Sequence, residues 1–177
     1  MSIARVICAG FGGQGVMSMG QLLTYAGMLE GKEVSWLPSY GPEMRGGTAN
    51  CSVIVTDASI GSPVVYEASA VVVMNKPSLD KFEKAVVKGG LIVLDSNLID
   101  RMPARDDVEV IAIPAQKIAE EVGSVQIANM VLLGALIERT GVVTMEQILG
   151  ALKDHGKEKF FQMNKDALEK GAELARR

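Results

Sequence analysis

Ile3-Ala4-Arg5-Val6-Ile7-Cys8-Ala9-Gly10-Phe11-Gly12-Gly13-Gln14-Gly15-Val16 reads as a short aliphatic strand, Ile3 to Ala9, running into a glycine-rich turn. Beyond it, apolar residues recur at helical spacing (Val16, Met19, Leu22, Leu23, Ala26) until Gly31 closes the segment. Val34 to Leu37 then reads as a second strand. A strand, glycine turn, helix and strand in this order open a doubly wound, Rossmann-like α/β fold. The expected architecture is a mostly parallel sheet with helices on both faces.

The rest of the chain agrees with that frame. Ala49 to Thr56, Ala70 to Met74, Leu91 to Leu94 and Val108 to Ile113 read as further strands, and Ser78 to Val87 as a helix. Pro38 to Gly47 carries two prolines and three glycines in ten residues and is not expected to be regular. The last third turns helical: Ala115 to Val122, Ile127 to Arg139, Met145 to Leu152 and Phe160 to Ala175. Gly123, Gly141 and Gly156 fall where those helices should stop. With 177 residues, no repeat and no linker, the chain reads as one domain over residues 1–177.

Composition narrows the function. Hydrophobic residues make up 48% and aromatics only 5%, the aliphatic bias of strands buried on both faces. Net charge is −3 and no basic stripe appears, which argues against nucleic acid as a partner. No run reaches the ~18 apolar residues of a membrane span. Met1 to Arg5 has no signal-peptide layout, so a cytoplasmic location is expected. Cys8 and Cys51 lie in apolar segments without CxxC spacing and read as buried free thiols. Two cysteines cannot supply the four thiolates of an iron–sulfur cluster, and no metal site is expected.

Gly10, Gly12 and Gly15 match G-x-G-x-x-G between a strand and a helix. Such glycines let the backbone turn tightly and approach a phosphate, while the helix N-terminus offers unpaired N–H groups. They also serve simple close packing of helix on strand, and the residues alone do not choose between the two. Gln14 can cap the helix or touch a ligand. A dinucleotide site also needs a carboxylate ending the second strand, and here the strand runs into Leu37-Pro38-Ser39. NAD and NADP are therefore not expected.

Tyr40-Gly41-Pro42-Glu43-Met44-Arg45-Gly46-Gly47 follows the second strand, which places it near the carboxyl edge of the sheet, where ligands bind. Arg45 can present a planar fork of donors to a phosphate or carboxylate, with Glu43 orienting it. An internal Glu43–Arg45 pair that only shapes the loop is the alternative.

The two glycine-rich segments, with Asn129-Met130-Val131-Leu132-Leu133-Gly134-Ala135-Leu136 as a third match, resemble the γ subunit of 2-oxoacid:ferredoxin oxidoreductases over Ile3 to about Ile148. The runs Thr48 to Val55 and Ile60 to Val65 look most like the 2-oxoglutarate type, with pyruvate, branched-chain and indolepyruvate versions sharing the framework. The resemblance implies a hetero-oligomer with α, β and ferredoxin-like δ subunits, oxidising a 2-oxoacid to an acyl-coenzyme A and reducing ferredoxin. Thiamine diphosphate, Mg²⁺ and the iron–sulfur clusters would belong to the partners, and the isolated chain would be inactive, with no catalytic residue of its own. It places this module near coenzyme A, whose phosphates a glycine turn and an arginine suit. The residues implicated are Gly10, Gly12, Gly13, Gln14 and Gly15, with Tyr40, Glu43, Arg45, Gly46 and Gly47. A purely structural assembly module is the competing function, and a freestanding nucleotide-binding protein a third. His155 reads as a helix-end or exposed residue, Asn129 as structural, and Asp95 as either a sheet-edge carboxylate or a turn starter.

Overall fold

A computed structural model describes residues 2–39 and 48–177. Among these residues six strands form one sheet: β1 (Ile3–Phe11), β2 (Glu33–Ser39), β3 (Thr48–Thr56), β4 (Ala68–Val73), β5 (Val86–Asp95) and β6 (Glu109–Ile113). Their order is β2-β3-β1-β4-β5-β6. From β1 through β6 the pairs β1–β4, β4–β5 and β5–β6 are parallel, whereas β3 runs antiparallel to both β1 and β2. The sheet is thus mixed but mostly parallel. The helices are α1 (Val16–Leu29), α2 (Lys76–Phe82), α3 (Ala115–Val122), α4 (Ala128–Thr140), α5 (Met145–His155) and α6 (Phe161–Ala175).

Burial explains the aliphatic runs. In the centre, Val71, Val72 and Val73 of β4 are all fully buried, because the sheet is covered on both faces. Val6, Cys8, Val53, Val72 and Val93 face a layer built from α1, α4 and the other C-terminal helices. Ile7, Ala9, Val71, Ile92 and Leu94 face the opposite way, onto Leu79 of α2 and Ile99. Residues one apart on a strand divide between the two faces, as the pleat requires.

Helix α4 lies at the centre of the thicker layer. Every residue from Ala128 to Ile137 is buried, Asn129 included, so the helix is covered all round rather than along one stripe. It packs most extensively on α6, and two glycines make that possible. A methyl group on Gly171 would strike the Val131 carbonyl, and one on Gly134 would strike the Leu168 carbonyl. The two helices therefore meet backbone to backbone.

Three local expectations need correction. Pro38 lies within β2, opposite Cys51, rather than in an irregular loop. β2 is an edge strand, where a residue without an N–H costs no ladder bond on its outer side. The helix expected over Ser78 to Val87 is instead α2 followed by a 3-10 turn, Glu83–Ala85, and Val86 already belongs to β5. β5 consequently starts well before Leu91 and passes through Gly89 at φ 77°, next to an irregularity in its pairing with β4. The other breaks fall as expected: Gly123, Gly141 and Gly156 end α3, α4 and α5.

The segment between β5 and β6 is tied down by Glu83. Its carboxylate accepts from Arg101 Nη2 at 2.9 Å and from the Ala104 N–H at 2.9 Å, while Arg105 Nη1 donates to the Glu83 and Val86 carbonyls at 3.0 and 2.6 Å. The Arg101 hydrogen bond holds the Glu83 pKa below its ordinary value, against the effect of burial. A depressed folded-state pKa contributes stability above the unfolded-state pKa, and that stability is lost as pH falls through the folded value.

Two outcomes follow for urea unfolding. Gly171→Ala lowers stability by about 1–3 kcal/mol through overpacking against Val131, and a cost under about 0.5 kcal/mol contradicts the close helix contact. Glu83→Gln costs about 1.5–3 kcal/mol at neutral pH, and its deficit shrinks on acidification below the ordinary glutamate range. A deficit independent of pH argues against the charged pair as its source.

Candidate functional site

The glycine turn joins β1 to α1 at the carboxyl edge of the sheet. Gln14 N–H donates to the Phe11 carbonyl at 3.2 Å, closing the turn. Its side chain is engaged at both ends: Oε1 accepts from the Phe11 N–H at 2.6 Å, and Nε2 donates to the Met74 carbonyl at 3.4 Å. Gln14 therefore spans β1 and the end of β4, the point where α1 leaves to one face and α2 to the other. A side chain on Gly10 would come within 2.6 Å of Gln14 Oε1, so the glycine there makes room for this brace. Gln14 shapes the loop through bonds within the chain.

Gly15 is the N-cap of α1, in the left-handed region at φ 77°, ψ 24°. It offers no capping side chain, and no acidic residue lies in the first turn. The first N–H groups of a 14-residue helix are thus left to solvent or an anion. The Gly15 carbonyl accepts from Met19 N–H at 3.0 Å and from Asn129 Nδ2 at 3.0 Å.

A cleft of about 750 Å³ opens beside this turn. Gly15, Ser18, Leu22 and Tyr25 line it along α1, Gly123, Ser124, Ile127 and Asn129 line it ahead of and at the start of α4, and the end of α5 borders it as well. Tyr25 and His155 stack there, with ring centroids 3.7 Å apart and planes 12° from parallel. Lys157 lines the cleft, and no carboxylate does, among the described residues. A helix N-terminus and a lysine, with no acidic side chain among the described lining residues, give the cleft a charge balance suited to an anion.

Tyr40, Glu43, Arg45, Gly46 and Gly47 lie outside the described residues. Their flanks are placed: Ser39 pairs with Asn50 and Thr48 with Phe11, so both ends of the segment reach the edge that carries the glycine turn. Asp95 is both a sheet-edge residue and a turn starter: it ends β5, fully buried, with Oδ1 accepting from Asn97 N–H at 3.0 Å and Ala115 N–H at 3.2 Å. Burial raises its pKa. Cys8 and Cys51 face each other across β1 and β3, both buried and free, and the mutual hydrogen bond together with burial pushes the Cys8 thiol up. No group of three metal-ligating side chains occurs among the described residues, and no helix there is long and apolar enough to cross a membrane.

Sequence reasoning missed the α1 wall and Lys157 as lining residues. The signal was present: Ser18, Gln21 and Tyr25 recur three and four residues apart, so they share a face of the helix. Only the end of α5, which borders the cleft as well, lay beyond local pattern.

The family model described as pyruvate ferredoxin/flavodoxin oxidoreductase matches residues 5–174. The chain belongs to that family. It is 43% identical over 176 residues to ketoisovalerate oxidoreductase subunit VorA of Methanothermobacter thermautotrophicus, covering 97% of this chain but 36% of that protein. The chain thus spans little more than a third of that relative's length. It is 36% identical to 2-oxoglutarate synthase subunit KorC of Methanocaldococcus jannaschii, covering 95% of this chain and 91% of KorC. The γ subunit of a keto/oxoacid ferredoxin oxidoreductase from Geobacter sulfurreducens superimposes with a TM-score of 0.87 at 30% identity, over 98% of both chains. A 2-oxoglutarate:ferredoxin oxidoreductase from Magnetococcus marinus, with 2-oxoglutarate, coenzyme A and succinyl-CoA bound, gives a TM-score of 0.89 at 25% identity, over 99% of this chain and 31% of that one.

Strand order bears on dinucleotide binding in this family member. In a dinucleotide fold the second strand neighbours the first and delivers its terminal carboxylate to the ribose. Here β3 lies between β1 and β2, and β2 ends in Ser39. Calorimetry should therefore find NAD and NADP dissociation constants weaker than about micromolar; binding at or below that level contradicts the argument.

Proposed function

We propose that the chain is the γ-type module of a 2-oxoacid:ferredoxin oxidoreductase and that it receives the phosphates of coenzyme A at the α1 N-terminus. The observation that carries this reading is the uncapped start of α1, opening on a cleft lined by Lys157 and by no carboxylate among the described residues. Family membership supplies the reaction class. On this reading Gly13 and Gly15 let the backbone approach the phosphates, Gly10, Gly12 and Gln14 hold the turn, and Arg45 with its loop (Tyr40, Glu43, Gly46, Gly47) gives a second, charged contact. The module binds and orients coenzyme A. Thiamine diphosphate, Mg²⁺ and the iron–sulfur clusters belong to α, β and ferredoxin-like δ partners, which carry out decarboxylation and pass electrons to ferredoxin.

The 2-oxoacid has two candidates. The runs Thr48 to Val55 and Ile60 to Val65 favour 2-oxoglutarate, whereas 43% identity to VorA favours 2-ketoisovalerate. Comparing kcat/KM for the two acids in the assembled enzyme decides between them. A purely structural assembly role is the competing reading, favoured by Gln14, whose amide is engaged within the chain at both ends.

Arg45 separates these functions. In the assembled enzyme Arg45→Ala removes a charge-assisted contact of about 1.5–3 kcal/mol, roughly ten- to hundredfold in kcat/KM for coenzyme A. Thiamine content and cluster spectra stay normal, and Arg45→Lys rescues in part because an ammonium lacks the bidentate fork. An unchanged KM for coenzyme A in size-selected complex, with weakened subunit association, supports the assembly role instead. The chain alone is expected to give no 2-oxoacid-dependent dye reduction, and appreciable reduction by it contradicts this reading.

A further inference from the structure

Asn129 reaches across from α4 to the glycine turn. Its Nδ2 donates to the Gly15 carbonyl at 3.0 Å, and its Oδ1 accepts from the Met130 N–H at 3.0 Å. A donor is needed at one end and an acceptor at the other, so the network fixes which way the amide points. Met130 N–H is one of the first-turn groups that no side chain on the N-cap Ile127 satisfies. Asn129 thus completes the start of α4 and holds the start of α1 at once.

The contact is steric as well as polar. A side chain at Gly15 would strike the Asn129 amide, with Cγ 2.9 Å from the added carbon. Glycine at position 15 is required twice, by φ 77° and by the asparagine packed on it. Asn129 is 6% exposed and lines the cleft, and it stands on a helix locked to α6 at Gly134 and Gly171. The amide is therefore presented from a rigid base.

We infer that Asn129 is a positioning residue for the anion site: it pins the Gly15 carbonyl to α4 and so fixes the direction in which the first N–H groups of α1 point. This rests on the proposal that coenzyme A phosphate binds at that turn. A peptide unit has its carbonyl and N–H antiparallel, so holding the Gly15 carbonyl sets the orientation of the Val16 N–H. Without the clamp the Gly15–Val16 peptide is held only by the Met19 bond. Substrate binding then suffers while later steps, on partner subunits, do not.

The test is steady-state kinetics of the complete oxidoreductase with coenzyme A as the varied substrate, comparing wild type, Asn129→Ala, Asn129→Asp and Arg45→Ala. Asn129→Ala is expected to raise KM for coenzyme A about threefold to tenfold, the equivalent of one neutral hydrogen bond, with kcat within about twofold. Asn129→Asp, near in size but with a carboxylate facing the Gly15 carbonyl, should raise KM by more than tenfold. If Arg45→Ala raises KM and both Asn129 variants leave it unchanged, the positioning role is wrong and the coenzyme A reading stands. If none of the three raises KM, both are wrong. Melting of the full-length chain tests the contact independently of assembly: the drop caused by Gly15→Ala should be smaller in an Asn129→Ala background than in wild type. Equal drops in the two backgrounds overturn the clamp.

Discussion

The contact between α4 and α6 at Gly134 and Gly171 sets the position of nearly everything else in the thicker layer. With no side chain between the two backbones, α4 has one depth at which it can lie. Its ten buried residues then fill the space over β4 and β5. Because a close-packed interior transmits small shifts instead of absorbing them, the first turn of α4 is held as firmly as its middle. The glycine turn of α1 inherits that rigidity through Asn129 and Gly15. A loop composed for freedom is in this way held in one shape by a helix more than a hundred residues later in the chain.

The second organising feature is the antiparallel strand β3 lodged between β1 and β2. β2 carries the chain to the carboxyl edge of β1, and β3 starts back from it, with Thr48 paired to Phe11. The two glycine-rich segments, separated in sequence by helix α1 and strand β2, have their described ends at the same edge. The same insertion moves β2 one strand away from β1, which removes the position from which a ribose carboxylate would act. One topological choice thus displaces β2 from its dinucleotide-fold position and brings the described ends of two glycine-rich segments to one edge.

Much of this was legible in the residues. α1 and α3 begin and end where apolar spacing and glycine breaks place them, Val16–Leu29 and Ala115–Val122. Buried aliphatic strands announced themselves by composition. The misreadings came where context overrides local preference. Pro38 is admitted to a strand because that strand is at the edge, and β5, read from Leu91, begins at Val86 because its irregular early pairing is a property of two strands together. The cleft was half legible: the α1 wall has a spacing, but another border comes from the end of α5. Asn129 looked structural, and it is. What a linear pattern does not contain is the identity of its partner, Gly15, 114 residues away.

Trp36 is the single tryptophan of the chain. Its indole lies against Gly20 in the middle of α1 and beside the Cys51 thiol. Light that excites only tryptophan therefore addresses one indole, at the seam of α1, β2 and β3 and within reach of a thiol, a group that quenches indoles on contact. An event that lifts α1 from the sheet changes the surroundings of that indole, while events confined to α2 or β6 do not touch it. The molecule therefore carries an optical gauge of its own glycine-turn helix, usable without any added label.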